Sequence, residues 1–316
     1  MNKAEFLAEL RTQIAARAPE DLERTVSYFA EIIDDRVEDG MSEAEAVATL
    51  EAPAQIAENF GSVQSAHKKP DSYDPALLHT INVYDINCPV FIVPRRENVE
   101  LEYHEHERKH YTISVDNGTL NVVAVSSMKW YNWIGFGHGN FGFQPLVLGV
   151  PESFSGRIMI KTSNAEVSAS DVKFNGGLLI RTSNARFNFR NLKISGEISA
   201  QTSNGRIACQ FIDCGSLNAE SSNGRIEAVH VKAAVEMSLV TSNGRVEVQH
   251  ISAGQRIAVH SSNGRIYGTI DDKMRDFSIR SHTSNGTNSL PGDMPGGSKD
   301  LEVTTSNGTI DIRFCA

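Results

Sequence analysis

The chain of 316 residues is poor in several things at once, with four cysteines, ten prolines and two tryptophans. No run approaches the roughly 18–20 uninterrupted apolar residues that a membrane-crossing helix needs. The N-terminus MNKAEFLAELRTQ carries charges where a signal peptide has its apolar core. These absences lead to the expectation of a cytoplasmic chain that is not transmembrane. Peripheral contact with the cell envelope, or export by a non-classical route, is the alternative. Cys88, Cys209, Cys214 and Cys315 are too scattered for a disulfide scaffold, and no further ligands recur around Cys209 and Cys214. Reduced structural thiols and no metal are therefore expected. A basic surplus is lacking too. Residues 1–60 hold 14 acidic against 5 basic side chains, and the remainder holds 25 of each. Neither part offers the cationic surface that phosphates require, which argues against nucleic acid as a partner. The segment Gly137-His138-Gly139-Asn140-Phe141-Gly142 satisfies G-x-G-x-x-G in letters, but no βαβ unit with a ribose-binding acid follows it, and no cofactor is expected.

What is present begins with helical periodicity. Phe6, Leu7, Leu10 and Ile14 share one face, and a second stripe of Leu22, Val26, Phe29, Ile33 and Val37 follows Pro19. Gly40 reads as a left-handed cap, Ser42 with Glu45 as a capping box opening a third helix, and Pro53 as the start of a short fourth segment carrying Ile56. The outward carboxylates read as a solvated face. An EF-hand loop at Asp34–Gly40 fails, because Val37 occupies a ligand position and no Glu stands at the required distance beyond. The run Tyr28-Phe29-Ala30-Glu31-Ile32-Ile33-Asp34-Asp35, followed by Glu38-Asp39-Gly40-Met41-Ser42-Glu43-Ala44-Glu45-Ala46, resembles the HAAS domain, a helical module of bacterial signalling and membrane proteins. That resemblance implies a regulatory or protein-interaction role.

Residues 61–75 read as a linker, punctuated by Pro70 and Pro75, and from residue 76 the period changes to that of strands. Asn117-Gly118 is a hairpin signal. In Tyr103–His110, the pair His104 and His106, with His110, reads as an exposed strand end; an H-x-H pair supplies half a zinc site, but no third ligand stands at a matching spacing.

Self-similarity dominates the rest. Eight Ser-Asn-(Gly/Ala) turns centre on Asn164, Asn184, Asn204, Asn223, Asn243, Asn263, Asn285 and Asn307, spaced by 20, 20, 19, 20, 20, 22 and 22 residues. Six and four residues before each Asn stand apolar pairs such as Ile158/Ile160 and Ile257/Val259, and the Thr or Ser two before continues that inward column. Three residues after each Asn comes Val167, Phe187, Ile207, Ile226, Val246, Ile266 or Ile310, and the seventh copy breaks the rule with Asn288. Parity slips across the Asn, so the chain turns a corner there. The asparagines are expected to face inward and stack as a structural ladder, with positive φ at the following Gly. A turn of about 20 residues cannot bury its apolar face alone, so successive turns must stack into a parallel β-solenoid of at least eight turns. The fold class is thus mostly β, with a small N-terminal helical bundle. A last rung ending in Ile310–Ala316 reads as uncapped and open to pairing with another chain.

Arg186, Arg206, Arg225, Arg245 and Arg265 recur two residues after Asn on the outward parity. Stacked cations repel, so they either interleave with carboxylates such as Glu227 and Glu247 or form a stripe that binds an anionic polymer. Trp130, Tyr131 and Trp133 lie in an aromatic, Gly-rich segment that reads as a cap on the first rung or as a ligand or membrane-surface contact. The initial strands, the tryptophan-containing insertion, Val150-Pro151 and the serial Ser-Asn-Gly turns together resemble the bacterial putative adhesin domain, a β-solenoid family without assigned biochemistry. The resemblance implies a non-enzymatic binding surface, with some relatives tied to envelope stress signalling. The expected function is an interaction or signalling scaffold with a protein partner, reached through the acidic helices or a solenoid face. A surface adhesin or glycan-binding protein is the alternative. A carbohydrate-active β-helix enzyme is a further alternative, and it finds Asp171, Asp213, Asp271 and Asp272 at unlike offsets with no constellation.

Overall fold

A computed structural model of the chain describes residues 1–16, 22–38, 41–50, 52–54, 56–57, 70–105, 109–126 and 145–315. They form two compact units, one holding the N-terminal helices and the other the strands.

In the helical unit, α1 (Lys3–Ala15) and α3 (Glu43–Ala48) both open with a capping box. The Asn2 side chain accepts from the Glu5 amide at 2.9 Å while Glu5 reaches back to Asn2, and Ser42 and Glu45 repeat the arrangement. Each box satisfies amide donors that a helix start leaves without intrahelical partners. Together with α2 (Leu22–Glu38) these helices bury Phe6, Leu10, Ile14, Phe29, Ile33, Ala46, Val47 and Ile56. Val37 departs from the expected stripe and is 40% exposed. Each step of four residues advances about 40° around an α-helix, and two such steps from Phe29 carry Val37 off the buried face. Gly40 lies outside the described residues.

The strand unit is a parallel β-solenoid. Its regular turns consist of a strand such as Arg157–Lys161, the Ser-Asn corner, a second strand such as Val167–Ser170, another corner, and a short third strip such as Lys173–Phe174. Equivalent residues pair in parallel from turn to turn, so that Ile158 lies under Leu178 and Leu178 under Ile198. The apolar positions that recur around each Asn form the core: Ile158, Leu178, Ile198, Leu217, Met237, Ile257 and Leu301 are all buried, as are Val167, Phe187, Ile207, Ile226, Val246, Ile266 and Ile310. Because a strand alternates faces, this parity places small or polar side chains such as Ser199, Asn218 and Ser238 outward.

At both ends the stacking order departs from chain order. Thr80–Tyr84 lies between Thr119–Ser126 and Arg157–Lys161, paired in parallel with each. At the far end Lys299–Thr305 lies between Arg256–Ser261 and Phe277–Thr283. The eighth Asn turn is therefore inserted between the sixth and the seventh. The sheet also begins earlier than the strand pattern suggests, since Asp71–Tyr73, within the stretch read as linker, pairs antiparallel with Val99–Glu102. Asn117 and Gly118 both adopt positive φ, as a two-residue hairpin turn requires.

The expectation of an open last rung is corrected. The outer edge of Ile310–Phe314 is covered by the irregular seventh copy: Ile310 donates to Thr287 O, Ser289 N donates to Ile310 O, and the Ser289 hydroxyl accepts from Ile312 N at 2.9 Å while donating to Ile312 O. A serine side chain here takes the place of a strand partner. That blunts an edge that would otherwise invite intermolecular pairing.

Candidate functional site

Every Asn of the repeat sits in one hydrogen-bonded column. The Nδ2 of Asn184 donates to Oδ1 of Asn164 at 2.7 Å, and the chain of amides continues through Asn204, Asn223, Asn243 and Asn263 at 2.6–2.7 Å. It then passes to Asn307 and only afterwards to Asn285, at 2.7 and 2.8 Å. Asn87, which no tetrad marks, opens the column by accepting from Asn164 at 2.8 Å. Two expectations are corrected. The asparagines face outward, all but Asn164 being exposed. The Thr or Ser two residues before does turn inward, as the parity predicts: the Thr202 hydroxyl accepts from Gly205 N at 3.1 Å and donates to Ala185 O of the preceding turn at 3.2 Å, and Ser221, Thr241, Ser261 and Thr305 do the same. Nor do the tetrad glycines need positive φ. They are required because turns stack closely: a Cβ on Gly264 would stand 1.8 Å from Gly244 O.

The arginine column is interleaved with acids. Glu227 accepts from both Arg206 and Arg225, the latter at 2.9 Å, Arg186 stands 3.7 Å from Glu166, and Arg265 bonds Asp311 at 2.9 Å. Arg245 stands in the same column, and Tyr267 donates its hydroxyl to Glu247 at 2.6 Å beneath Arg265. Burial together with that carboxylate acceptor raises the Tyr267 phenol pKa.

The second corner carries a feature with no counterpart in the sequence reading. Asp171, Asn191, Phe211, His230 and His250 occupy the same place in successive turns and all adopt φ between 52° and 59°. The Asn191 amide donates to Asp171 at 2.6 Å. The Phe211 ring then stacks on His230 at 5.1 Å, and His230 on His250 at 4.8 Å, with planes within 9° of parallel. Asp271 closes the column at 2.8 Å from His250 Nδ1. Left-handed backbone costs an L-residue on the order of 1–2 kcal/mol, least for Asn and Asp. Phe211 adopts it while 52% exposed, so the strain is not offset by burial. Asp171 and Asp271 thus cap the ends of this corner column, and Asp272 separately accepts from Lys299 at 2.9 Å.

One polar cluster is buried. Asp85 Oδ2 accepts from Lys109 Nζ and from the Tyr111 hydroxyl, both at 2.6 Å, and its Oδ1 accepts from the amides of Asn87 and Cys88 at 3.2 Å. Burial, reinforced by Cys88 and Asp85, pushes the Tyr111 phenol pKa far up, and burial likewise raises that of the Cys88 thiol. Cys209 and Cys214 face the core and burial pushes both to about 12. No cysteine is in a disulfide, and only Cys315 is exposed. Because the thiolate is the reactive species, titration of the native chain with an aromatic disulfide at neutral pH is expected to consume one thiol rapidly, and the other three only after unfolding.

Trp130, Tyr131, Trp133 and His106 lie outside the described residues. Among the described residues no group of three or more His, Cys, Asp or Glu side chains is placed to hold a metal, and no helix is long and apolar enough to cross a membrane.

Fold and surface together define a strand-built class of protein: a parallel β-solenoid whose polar columns bond along the stack, accompanied by a capped helical module. Residues 79–314 match the Toastrack DUF4097 family model, and the chain belongs to that family. Residues 5–59 match the HAAS model. In structure the chain is similar to a putative adhesin from Bacteroides fragilis, at 13% identity and a TM-score of 0.44 over 80% of this chain and 100% of that one. It is also similar to a putative cell adhesion protein from Clostridium sporogenes, at 11% identity and a TM-score of 0.28 over 78% and 100%. No curated protein matches the chain.

Proposed function

We propose that the chain is a non-enzymatic binding scaffold that takes part in cell-envelope stress signalling in a bacterium. In this reading residues 1–60 form the regulatory HAAS-like domain, a linker runs from 61 to about 70 and the solenoid begins with the strand at Asp71, with a protein as partner and the corner column Phe211–His230–His250 as the contact surface on the solenoid. The observation that supports it is the column's strain. Phe211 is held outward on left-handed backbone where Asn would be accommodated at less cost, and the rings of His230 and His250 continue its stack. Residues kept against local stability are a mark of function rather than of packing. The asparagine and arginine columns are, by contrast, engaged with their own neighbours along the stack.

The test compares the full chain with Phe211→Asn. The substitution relieves left-handed strain and sets an amide beside that of Asn191, at the loss of one exposed ring stack worth about 0.5–1.5 kcal/mol. Stability is expected to be unchanged or raised by up to about 1 kcal/mol. Proteins retained by the immobilised parent chain are expected to be lost from the variant. A variant that is clearly destabilised, or that retains the same proteins, would show the column to be a structural ladder.

A further inference from the structure

Asn followed by Gly is the dipeptide most open to spontaneous loss of the side-chain amide, because a glycine amide nitrogen meets little hindrance as it approaches the Asn carbonyl carbon. Six of the eight ladder asparagines, Asn204, Asn223, Asn243, Asn263, Asn285 and Asn307, are followed by Gly. The structure divides these six unequally.

For five of them the attacking group is tied. The N–H of Gly205, Gly224, Gly244, Gly264 and Gly308 donates to the Thr or Ser hydroxyl three residues earlier, at 2.8–3.2 Å. The amide of each of the five is also held twice, its Nδ2 donating to one neighbour in the ladder and its Oδ1 accepting from the other. Asn285 is different because the last turn of the chain is inserted beneath it. It ends the ladder, so its Nδ2 donates to Asn307 at 2.8 Å but its Oδ1 has no ladder donor beyond. Among the described residues the Gly286 N–H makes no hydrogen bond, although the Thr283 hydroxyl donates to Gly308 O at 2.8 Å as its equivalents do in the other turns. Asn285 and Gly286 are both exposed.

We infer that Asn285 is the modification site of the ladder, converted to aspartate and isoaspartate while the five other Asn–Gly pairs are protected by the fold. The Gly286 nitrogen loses its proton to solvent and attacks Cγ of Asn285, and the Cγ–Nδ2 bond breaks with release of ammonia. The resulting succinimide takes up one water, opening at either carbonyl to give the α- or the β-linked acid. Two ties more than Asn285 has, each an ordinary hydrogen bond, slow the protected sites by about 10- to 100-fold. The product has a consequence for the fold. A carboxylate cannot donate to Asn307 Oδ1, and the β-linked form adds a backbone carbon just ahead of Thr287 and Ser289, which cover the edge of Ile310–Phe314.

The full-length chain, incubated folded in mildly alkaline buffer, is followed by peptide mapping with mass spectrometry, beside a sample kept in denaturant. In denaturant the six Asn–Gly sites are expected to convert at similar rates. In the folded chain Asn285 is expected to convert at least about tenfold faster than any of the other five. Conversion of an interior site as fast as Asn285, or an Asn285 that stays intact for as long as they do, overturns the assignment. For the consequence, Asn285→Asp is expected to exchange the Ile312 amide hydrogen faster than the parent chain does, and unchanged exchange there overturns that half. Asn117-Gly118 and Asn175-Gly176 stand outside the ladder and are resolved as separate peptides.

Discussion

A chain ending at Gly297 is expected to lose far more than one turn's worth of stability, and to self-associate. The deleted segment contributes Lys299–Thr305, which lies between two other strands of the stack, and Ile310–Phe314, which covers Ile266–Ile270. In a solenoid stacked in chain order the last turn contacts one neighbour, and its removal costs one interface. Here both faces of the deleted turn are in use. Leu301, Val303, Ile310 and Ile312 are buried, and at about 1.5–3 kcal/mol for each large side chain their loss removes roughly 6–12 kcal/mol of burial. The seventh copy cannot take the vacated seat. It has one regular strand, Phe277–Thr283, and then carries Asn288 where the other copies carry an apolar residue, followed by Pro291. The strand Ile266–Ile270 would therefore stand bare along its edge. Hydrogen exchange is expected to show lost protection at 266–270 and 277–283, and sedimentation to show species larger than the parent chain. A truncated chain that sediments like the parent and keeps its protection at 266–270 would mean that the seventh copy reseats itself.

How much of this was legible in the sequence follows from which quantities a sequence encodes. Parity is one of them: residues six and four before each Asn, and three after, are buried without exception among the regular copies, because a strand's period of two fixes which side chains face the core. The side that Asn itself takes departs from the parity expectation, since the corner breaks the period of two. The inward role falls to Thr202, Ser221, Thr241 and their equivalents, whose hydroxyls satisfy an amide and a carbonyl in the same step. Asn87 escaped notice because Ile86-Asn87-Cys88 carries none of the tetrad, although its amide completes the same column. The strained corner was not visible at all. Asp, Asn and His all tolerate positive φ, but they do so at many positions and Phe211 does not, so only the turn-to-turn register unites the series. Stacking order was likewise out of reach, because identical tetrads fit any neighbouring tetrad and nothing in the eighth copy marks it as lying beneath the seventh. The arginine spacing was legible as a column, and its partners were partly so. Glu227 is met by Arg206 and Arg225, while Glu166 and Asp311, which serve the outer members, lie in copies without their own tetrad arginine.

Removing one member of the Asp85–Lys109 pair is expected to be the most damaging single substitution in the solenoid's first rung. Both side chains are nearly out of solvent, with 2% and 8% exposure, and they meet at 2.6 Å. Lys109→Met leaves the Asp85 carboxylate buried with its amide and phenol donors but without its cation, and Asp85→Asn leaves the ammonium without its anion. Each is expected to cost about 3–5 kcal/mol, the range for stranding one charge of a buried pair. The double variant Asp85→Asn/Lys109→Met removes both charges. It keeps an Oδ1 acceptor for the amides of Asn87 and Cys88, so it is expected to recover most of the loss. Chemical denaturation of the three variants gives the coupling energy directly, and a double variant as unstable as the sum of the singles would mean that the charges do not act as a pair. The Tyr111 hydroxyl, which donates to the same carboxylate, adds a dependence on pH with a definite sign. Its phenol is held neutral in the fold far above the ordinary tyrosine range, whereas in the unfolded chain it ionises near the usual value of about 10. The stabilisation it supplies is complete below that value and falls as pH rises past it, by about 1.4 kcal/mol per pH unit. Tyr111→Phe removes this dependence, so the parent's stability is expected to fall more steeply than the variant's above about pH 10, and identical slopes would place the titrating group elsewhere.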